Sequence, residues 1–292
     1  MQGDWQSAIE RARNHAPFLR LALDRQPELA AMLAAGDGEA ALAAARLAGE
    51  GAEELGVALR RERLALALVL AIGDLAGAFP LTRVMQELSA FADRALDRAI
   101  AEAITRRVPD AEPQGFVALA LGKHGANELN YSSDIDPILL YDRARLPCRA
   151  REETGEAAQR YAKTVQELLA RPTSEGYVFR VDLRLRPASE VSPPAISFGA
   201  ALTHYESSAL AWERAAFIRA RAAGGDIPAG EDFLRQIRPF VWRRSLDFTA
   251  LEEIRRLTQR IRDSYDGPKT PGPGFDIKKG RGGIRAVEFF AQ

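Results

Sequence analysis

Asp134 and Asp136 stand two residues apart at the end of Gly122-Lys-His-Gly125-Ala-Asn-Glu-Leu-Asn-Tyr-Ser132-Ser133-Asp134-Ile-Asp136, just before the apolar run Pro137-Ile-Leu-Leu-Tyr141. In an extended chain, residues i and i+2 point to the same side roughly 6.5 Å apart, so the two carboxylates share a face while Ile135 is buried behind them. With oxygens about 4 Å apart they would repel by roughly 4 kcal/mol at an effective dielectric of about 20, a cost that a cation between them removes. Hard oxygen donors with no nearby cluster of thiolates or imidazoles favour Mg²⁺ or Mn²⁺ over zinc. The alternative is a solvated turn, because Ser, Asn and Asp are also ordinary turn residues.

A second segment, Tyr177-Val-Phe-Arg180-Val-Asp182-Leu-Arg184-Leu-Arg186, alternates strictly and reads as a strand. Its apolar side is Tyr177, Phe179, Val181, Leu183 and Leu185; its polar side is Arg180, Asp182, Arg184 and Arg186. A third carboxylate thus stands beside guanidinium groups suited to bidentate phosphate contacts. Three carboxylates with arginines suit metal-assisted attack on a phosphorus centre, against the alternative of a solvent-exposed face with local charge pairing.

These residues resemble the glutamine synthetase adenylyltransferase family, also called the adenylyltransferase and adenylyl-removing enzyme. The resemblance rests first on the Gly-Lys loop running into Glu128-Leu-Asn-Tyr-Ser-Ser-Asp-Ile-Asp136. Further blocks agree in order: Phe179-Arg-Val-Asp-Leu-Arg-Leu-Arg-Pro187, Trp212-Glu-Arg-Ala-Ala-Phe-Ile-Arg-Ala-Arg221, and Ile277-Lys-Lys-Gly-Arg-Gly-Gly-Ile-Arg285 through Glu288-Phe-Phe-Ala-Gln292. The opening, with His15-Ala-Pro-Phe-Leu-Arg20 and Gln26-Pro-Glu-Leu29, is similar to the family's amino-terminal entry, so the resemblance covers nearly the whole chain.

Members of that family carry two nucleotidyltransferase halves, one attaching AMP to a tyrosine of glutamine synthetase and one removing it by phosphorolysis. The blocks here resemble the amino-terminal, removing half. The resemblance implies Asp134, Asp136 and Asp182 as catalytic and metal-binding carboxylates holding Mg²⁺ or Mn²⁺. It also implies Gly122, Lys123, Ser133, Arg184, Arg186, Lys278 and Arg281 as residues that bind nucleotide or phosphate. The expected reaction is attack of inorganic phosphate on tyrosyl-AMP, releasing ADP and unmodified glutamine synthetase. The alternatives are adenylyl transfer from ATP, or a non-catalytic fragment that binds glutamine synthetase or the PII signalling protein. Two departures stand out: Ala286 occupies a place where the family usually has an acidic residue, and the nucleotidyltransferase superfamily's Gly-Ser or Gly-Gly loop is Gly122-Lys123 here.

The chemistry needs no catalytic His or Cys. A tyrosine leaving group, with an ordinary pKa of about 10, departs with charge stabilisation rather than a strong acid. His15, His124 and His204 are far apart in sequence, and Cys148 lies in a polar segment. His124 reads as a loop or hydrogen-bonding residue, against the alternative of a catalytic one. No Gly-x-Ser-x-Gly nucleophile elbow is present. Lys278, Lys279, Arg281 and Arg285 sit in a glycine-rich loop entering a helical pattern, which reads either as an anion site or as a mobile basic loop without Walker-A spacing.

Lys plus Arg and Asp plus Glu both number 40, so no global field attracts nucleic acid, which argues against a template-copying polymerase. One cysteine suits a reducing compartment. The longest apolar run, Leu64–Ile72, falls short of the ~20 residues that span a bilayer. The expectation is a soluble, cytoplasmic chain without a signal peptide.

These motifs require a scaffold of mixed helix and strand. Trp5 to about Arg107 is Ala/Leu-rich at helical spacing, with breaks at Gly36-Asp-Gly, Gly49-Glu-Gly51 and Phe79-Pro80. Strands are expected at 115–122, 137–141 and 177–185, with a helix over 152–170. Further helices are expected over 198–222 and 231–265, separated by Gly224-Gly-Asp-Ile-Pro228, and the 266–274 segment reads as a loop. The fold class is α+β, a nucleotidyltransferase-type small mixed sheet with helices, flanked by helical segments. The expected division is a helical region 1–107, a nucleotidyltransferase core 108–195 and a helical region 196–292 with the basic Gly-rich loop. Ending inside an apolar helix at Gln292, the chain reads as a fragment of something longer.

Overall fold

Local signals set most helix boundaries. The computed structural model describes residues 3–242 and 248–291. Asp4 and Asp37 cap α1 (Trp5–His15) and α4 (Gly38–Leu47) by accepting from Ser7 and Ala40 backbone N–H, while prolines open α2 (Pro17–Arg25) and α3 (Pro27–Ala34). The long α5 (Leu55–Leu75) and α6 (Leu81–Thr105) follow. All three expected breaks separate helices here, the first where Gly36 takes φ of 84°.

The sheet has the order β3-β2-β1-β4. β1 (Phe116–Ala120) pairs antiparallel with β2 (Pro137–Tyr141) and with β4 (Arg221–Gly225), and β2 pairs parallel with β3 (Ala195–Ser197). Every residue of β1 and β2 is buried, because alternate side chains enter two different cores. Phe116, Ala118, Ala120 and Leu139 join the core built by α5, α6 and α8 (Thr154–Ala170). Val117, Leu119, Ile138 and Leu140 face α9 (Phe198–Ser207) and α11 (Ile227–Val241) through Tyr205, Phe233 and Ile237. The result is an α+β layered architecture. No helix among the described residues is long and apolar enough to cross a membrane.

Three expectations are corrected. The 177–185 segment is not a regular strand. It touches its neighbour at one parallel bridge, Ile135 with Val181, because Val178 and Phe179 N–H turn back to Leu169 O and the Asp182 carboxylate bends the chain by accepting from Arg184 N–H at 2.9 Å. The expected helix over 198–222 is instead α9, the short α10 (Ala211–Phe217) and strand β4. Gly224 and Gly225, read as a linker, lie in that strand because α6 runs directly over it: a Cβ on Gly224 would stand 2.7 Å from Asp97 N. The helix over 231–265 is α11 and α12 (Phe248–Asp263), and 243–247 lie outside the described residues. Finally, α13 (Ile284–Ala291) follows the basic loop, as expected; Gln292 lies outside the described residues.

Candidate active site

β1 delivers the chain to Gly122, whose φ of 56° favours glycine, and then to the single turn α7 (Gly122–Gly125). Gly125 is required for a different reason. A Cβ there would stand 2.1 Å from Arg219 O and 2.8 Å from Ala120 O, both backbone atoms that cannot swing aside. Gly125→Ala is therefore expected to cost about 1–3 kcal/mol, the usual range for overpacking. Chemical denaturation measures it, and an unchanged midpoint would refute the close approach.

His124 is buried by this turn, and its Nε2 lies 2.8 Å from Asp93 Oδ1. Arg221, at the start of β4, donates to both Asp93 oxygens at 2.8 and 2.9 Å and to His124 O at 3.1 Å. The hydrogen-bonding reading of His124 is thus what the structure has, and it ties α6, α7 and β4 into one unit. This network went unseen in the sequence because its members lie 31 and 97 residues apart.

After Leu129 the chain makes a compact turn in which Ser133 Oγ donates to Asn130 Oδ1 at 2.9 Å and accepts from Asn130 N–H at 3.0 Å. Residues 134–136 then run alongside 180–182: Ile135 N–H donates to Arg180 O at 3.0 Å and Asp182 N–H to Ile135 O at 2.9 Å. Those two bonds place Asp134, Asp136 and Asp182 together, with Ile135 fully buried behind them. The second segment is held from below by the buried Arg60 of α5, which donates to Gly176 O at 2.9 Å and Arg171 O at 2.7 Å.

The three carboxylates differ. Burial, then the charges of Asp182 and Asp134, push Asp136 up to about 6, while Lys278 and Arg184 partly offset this. The hydrogen bonds from Arg184 hold Asp182 below its ordinary value. Asp134 accepts from Arg180 Nε, and the same guanidinium reaches Ser132 O at 2.7 Å and Tyr177 Oη at 3.0 Å. Two arginines thus occupy two of the carboxylates, and among the described residues no three His, Cys, Asp or Glu side chains are gathered into a metal-ready cluster. The donor set still fits a hard divalent cation: all oxygens, with one carboxyl pushed up to about 6 by burial and then by its neighbours' charges, a shift that a cation would relieve. Loading it requires Arg180 and Arg184 to move aside.

The other expected residues divide. Gly122 lies close to Asp136, a Cβ on it falling 3.7 Å from Oδ2, and the adjoining Lys123 is exposed. Lys278 comes from far along the chain to act electrostatically on Asp136, which brings the basic loop to the carboxylates; Arg281 is exposed in that loop. Arg186 turns away. It donates to Pro193 O, Leu183 O, Ser189 O and Ser192 O at 2.8 to 3.1 Å and so braces the 183–193 turn rather than facing a phosphate. Arg219, unremarked in the sequence, bridges Glu128 at 3.3 Å and Glu288 of α13 at 3.0 Å, docking the last helix beside the loop.

An α+β core that sets an Asp-x-Asp at the start of β2 against a third aspartate on a segment bonded beside it is of nucleotidyltransferase type. Residues 7–236 match the glutamate-ammonia ligase adenylyltransferase family, and the chain belongs to it. A bifunctional glutamine synthetase adenylyltransferase/adenylyl-removing enzyme of Caulobacter vibrioides is 42% identical over 245 residues, covering 80% of this chain and 25% of the relative. One from Xanthobacter autotrophicus is 43% identical over 249 residues, covering 80% and 25%, and one from Brucella suis 36% over 296, covering 95% and 30%. The matched stretch therefore spans 25 to 30% of the length of these relatives.

Proposed function

We propose that this chain carries the metal-dependent removal of AMP from adenylylated glutamine synthetase by phosphorolysis, releasing ADP. The observation that carries the proposal is the meeting of Asp134, Asp136 and Asp182 on two bonded segments, with Lys278 brought to them from the basic loop. The names of the relatives include both attachment and removal, so adenylyl transfer from ATP is the second reading. The expected partners are adenylylated glutamine synthetase, phosphate with ADP or ATP, and the PII signalling protein.

Asp134, Asp136 and Asp182 would hold Mg²⁺ or Mn²⁺, which supplies positive charge to the oxygens around the reacting phosphorus. The chain's own groups do the rest. Ile135 and the Asn130–Ser133 turn fix the direction of the first two carboxylates, and the Asp93–His124–Arg221 unit fixes α7 and Lys123 beside them. Arg180 and Arg184, once released from their carboxylates, are free to neutralise phosphate oxygens, the role to which a planar guanidinium is suited.

Incubation with adenylylated glutamine synthetase, Mn²⁺ and phosphate tests the reading. ADP that requires both metal and phosphate supports it, whereas product formed only from ATP and unmodified enzyme moves the assignment to transfer. A pH dependence also follows. Because Asp136 holds its proton up to about pH 6, Mn²⁺ binding must displace that proton at lower pH. Affinity measured by calorimetry is expected to fall about tenfold per unit below that point and to be flat above pH 7. A flat profile from pH 5 to 8 would remove Asp136 from the metal site.

A further inference from the structure

Lys278 acts on Asp136 from a loop far along the chain, so something must hold that loop in place. Within the loop the hold is local. The Asp276 carboxylate accepts from Lys278 N–H at 2.8 Å and from Lys279 N–H at 2.9 Å, while Ile284 N–H donates to Ile277 O at 2.8 Å and Arg285 N–H to Lys278 O at 3.2 Å. Gly283 permits this closure, since a Cβ on it would stand 2.5 Å from Ile277 O. The first N–H groups of α13 are thus satisfied by the loop itself, and Lys278 is fastened to the first turn of that helix. Loop and helix form one piece.

What joins this piece to the catalytic loop is Arg219, in the short link between α10 and β4. Its Nη2 donates to Glu288 Oε1 at 3.0 Å, one turn into α13, and its Nη1 to Glu128 Oε2 at 3.3 Å. Glu128 N–H donates in turn to Lys123 O at 2.8 Å, and the chain runs from there through the Asn130–Ser133 turn to Asp134. The base of the clamp is fixed as well, because Arg219 O packs against Gly125 of α7. Among the described residues no other ion pair reaches α13. A planar guanidinium can grip two carboxylates at once through its fork of donors, a geometry that a single ammonium does not match.

We propose that Arg219 is a positioning residue for the attacking phosphate: by clamping α13 to the Glu128 end of the catalytic loop, it keeps Lys278 where its charge can meet that anion. This deepens the function proposed above and rests on it. Both ion pairs are partly exposed, and pairs of that kind add little to global stability. Their effect lies in where they put a charge, since a displacement of about 1 Å at a reacting group can cost about 10²-fold in rate. Opening the clamp therefore leaves the fold intact and weakens the use of phosphate.

Arg219→Met, Glu288→Gln, Lys278→Met and the double variant Arg219→Met with Lys278→Met decide it. With adenylylated glutamine synthetase, Mn²⁺ and varied phosphate, KM for phosphate is expected to rise about tenfold in Arg219→Met and about threefold in Glu288→Gln. The KM for adenylylated glutamine synthetase, Mn²⁺ affinity and Tm should stay close to those of the parent. Because Arg219 acts through Lys278, adding Arg219→Met to Lys278→Met should change the phosphate KM by less than about twofold. An equal rise in both backgrounds, or none in the single variants, would overturn the assignment. Glu288→Gln, on a partly exposed helix face, remains informative if Arg219→Met misfolds. If the parent chain itself turns nothing over, the proposed function is what fails. In that case, and equally if Lys278→Met is too slow to measure, the clamp is judged by hydrogen exchange. Faster exchange over 276–288 in Arg219→Met and Glu288→Gln, with β1 and β2 unchanged, supports it, and unchanged exchange there overturns it.

Discussion

Asp136→Asn is expected to abolish turnover and, at the same time, to make the protein more stable at neutral pH. The carboxyl moves from an ordinary 3.8 to about 6 on folding, chiefly by burial and then by the charges of Asp182 and Asp134. Because the folded value lies above the unfolded one, the native state binds more protons between about pH 4 and 6, and stability falls as pH rises through that window. Above it the full penalty remains. At 1.36 kcal/mol per unit this is about 3 kcal/mol, reduced to about 2 by partial solvent screening. Asparagine keeps the shape and removes the charge, so Tm should rise by roughly 4–8 °C at pH 7.5 and by little at pH 4. Activity should fall by about 10³-fold, the scale of losing one major group that stabilises reacting charge. Asp134→Asn should lose activity equally but gain less stability, since its charge is only the third cause of the Asp136 shift and its loss also removes an exposed pair with Arg180 worth about 0–1 kcal/mol. A destabilised Asp136→Asn, or one that still turns over, would dismantle the metal-site assignment.

The second large effect lies outside the carboxylates. Asp93→Ala strips the shared acceptor from Arg221 and from His124, whose side chain is only 1% exposed. A guanidinium that is 24% exposed is then left without its bidentate partner beneath α6. Breaking such a pair from one side costs about 3–5 kcal/mol, which for a chain of this size lowers Tm by about 10 °C. The double variant Asp93→Ala with Arg221→Met should recover part of that loss, because no unpaired cation remains. Urea denaturation of the single and double variants decides it; a single-variant loss below 1 kcal/mol would mean that the network is not under load. Because the same unit seats α7 beside Asp136, metal affinity should weaken in the single variant as well.

The helical scaffold was legible wherever capping and punctuation act locally. Asp4, Asp37, Pro17 and Pro27 start helices through their own backbone neighbours, and the three glycine or proline breaks separate helices regardless of what packs on them. Strand β4 was illegible for the opposite reason. Arg221-Ala-Ala-Gly-Gly225 has the composition of a helix followed by a linker, and its small residues form a strand because α6 needs that close an approach.

That Asp134 and Asp136 share a face, and that Asp182 stands among arginines, follow from sequence alone, because spacing by two determines which side chains point the same way. Membership of the adenylyltransferase family was legible in the same blocks. What the tertiary structure decided is which of the flanking charges belong to the site. Arg184 and Arg186 are equivalent by alternation, yet one holds Asp182 and the other braces a turn of four backbone carbonyls. Lys278 reaches Asp136, and Asp93 reaches His124 and Arg221, across separations that no periodicity encodes. Side-chain charge acts through distance in space, and that distance is set only when the layers of the fold close.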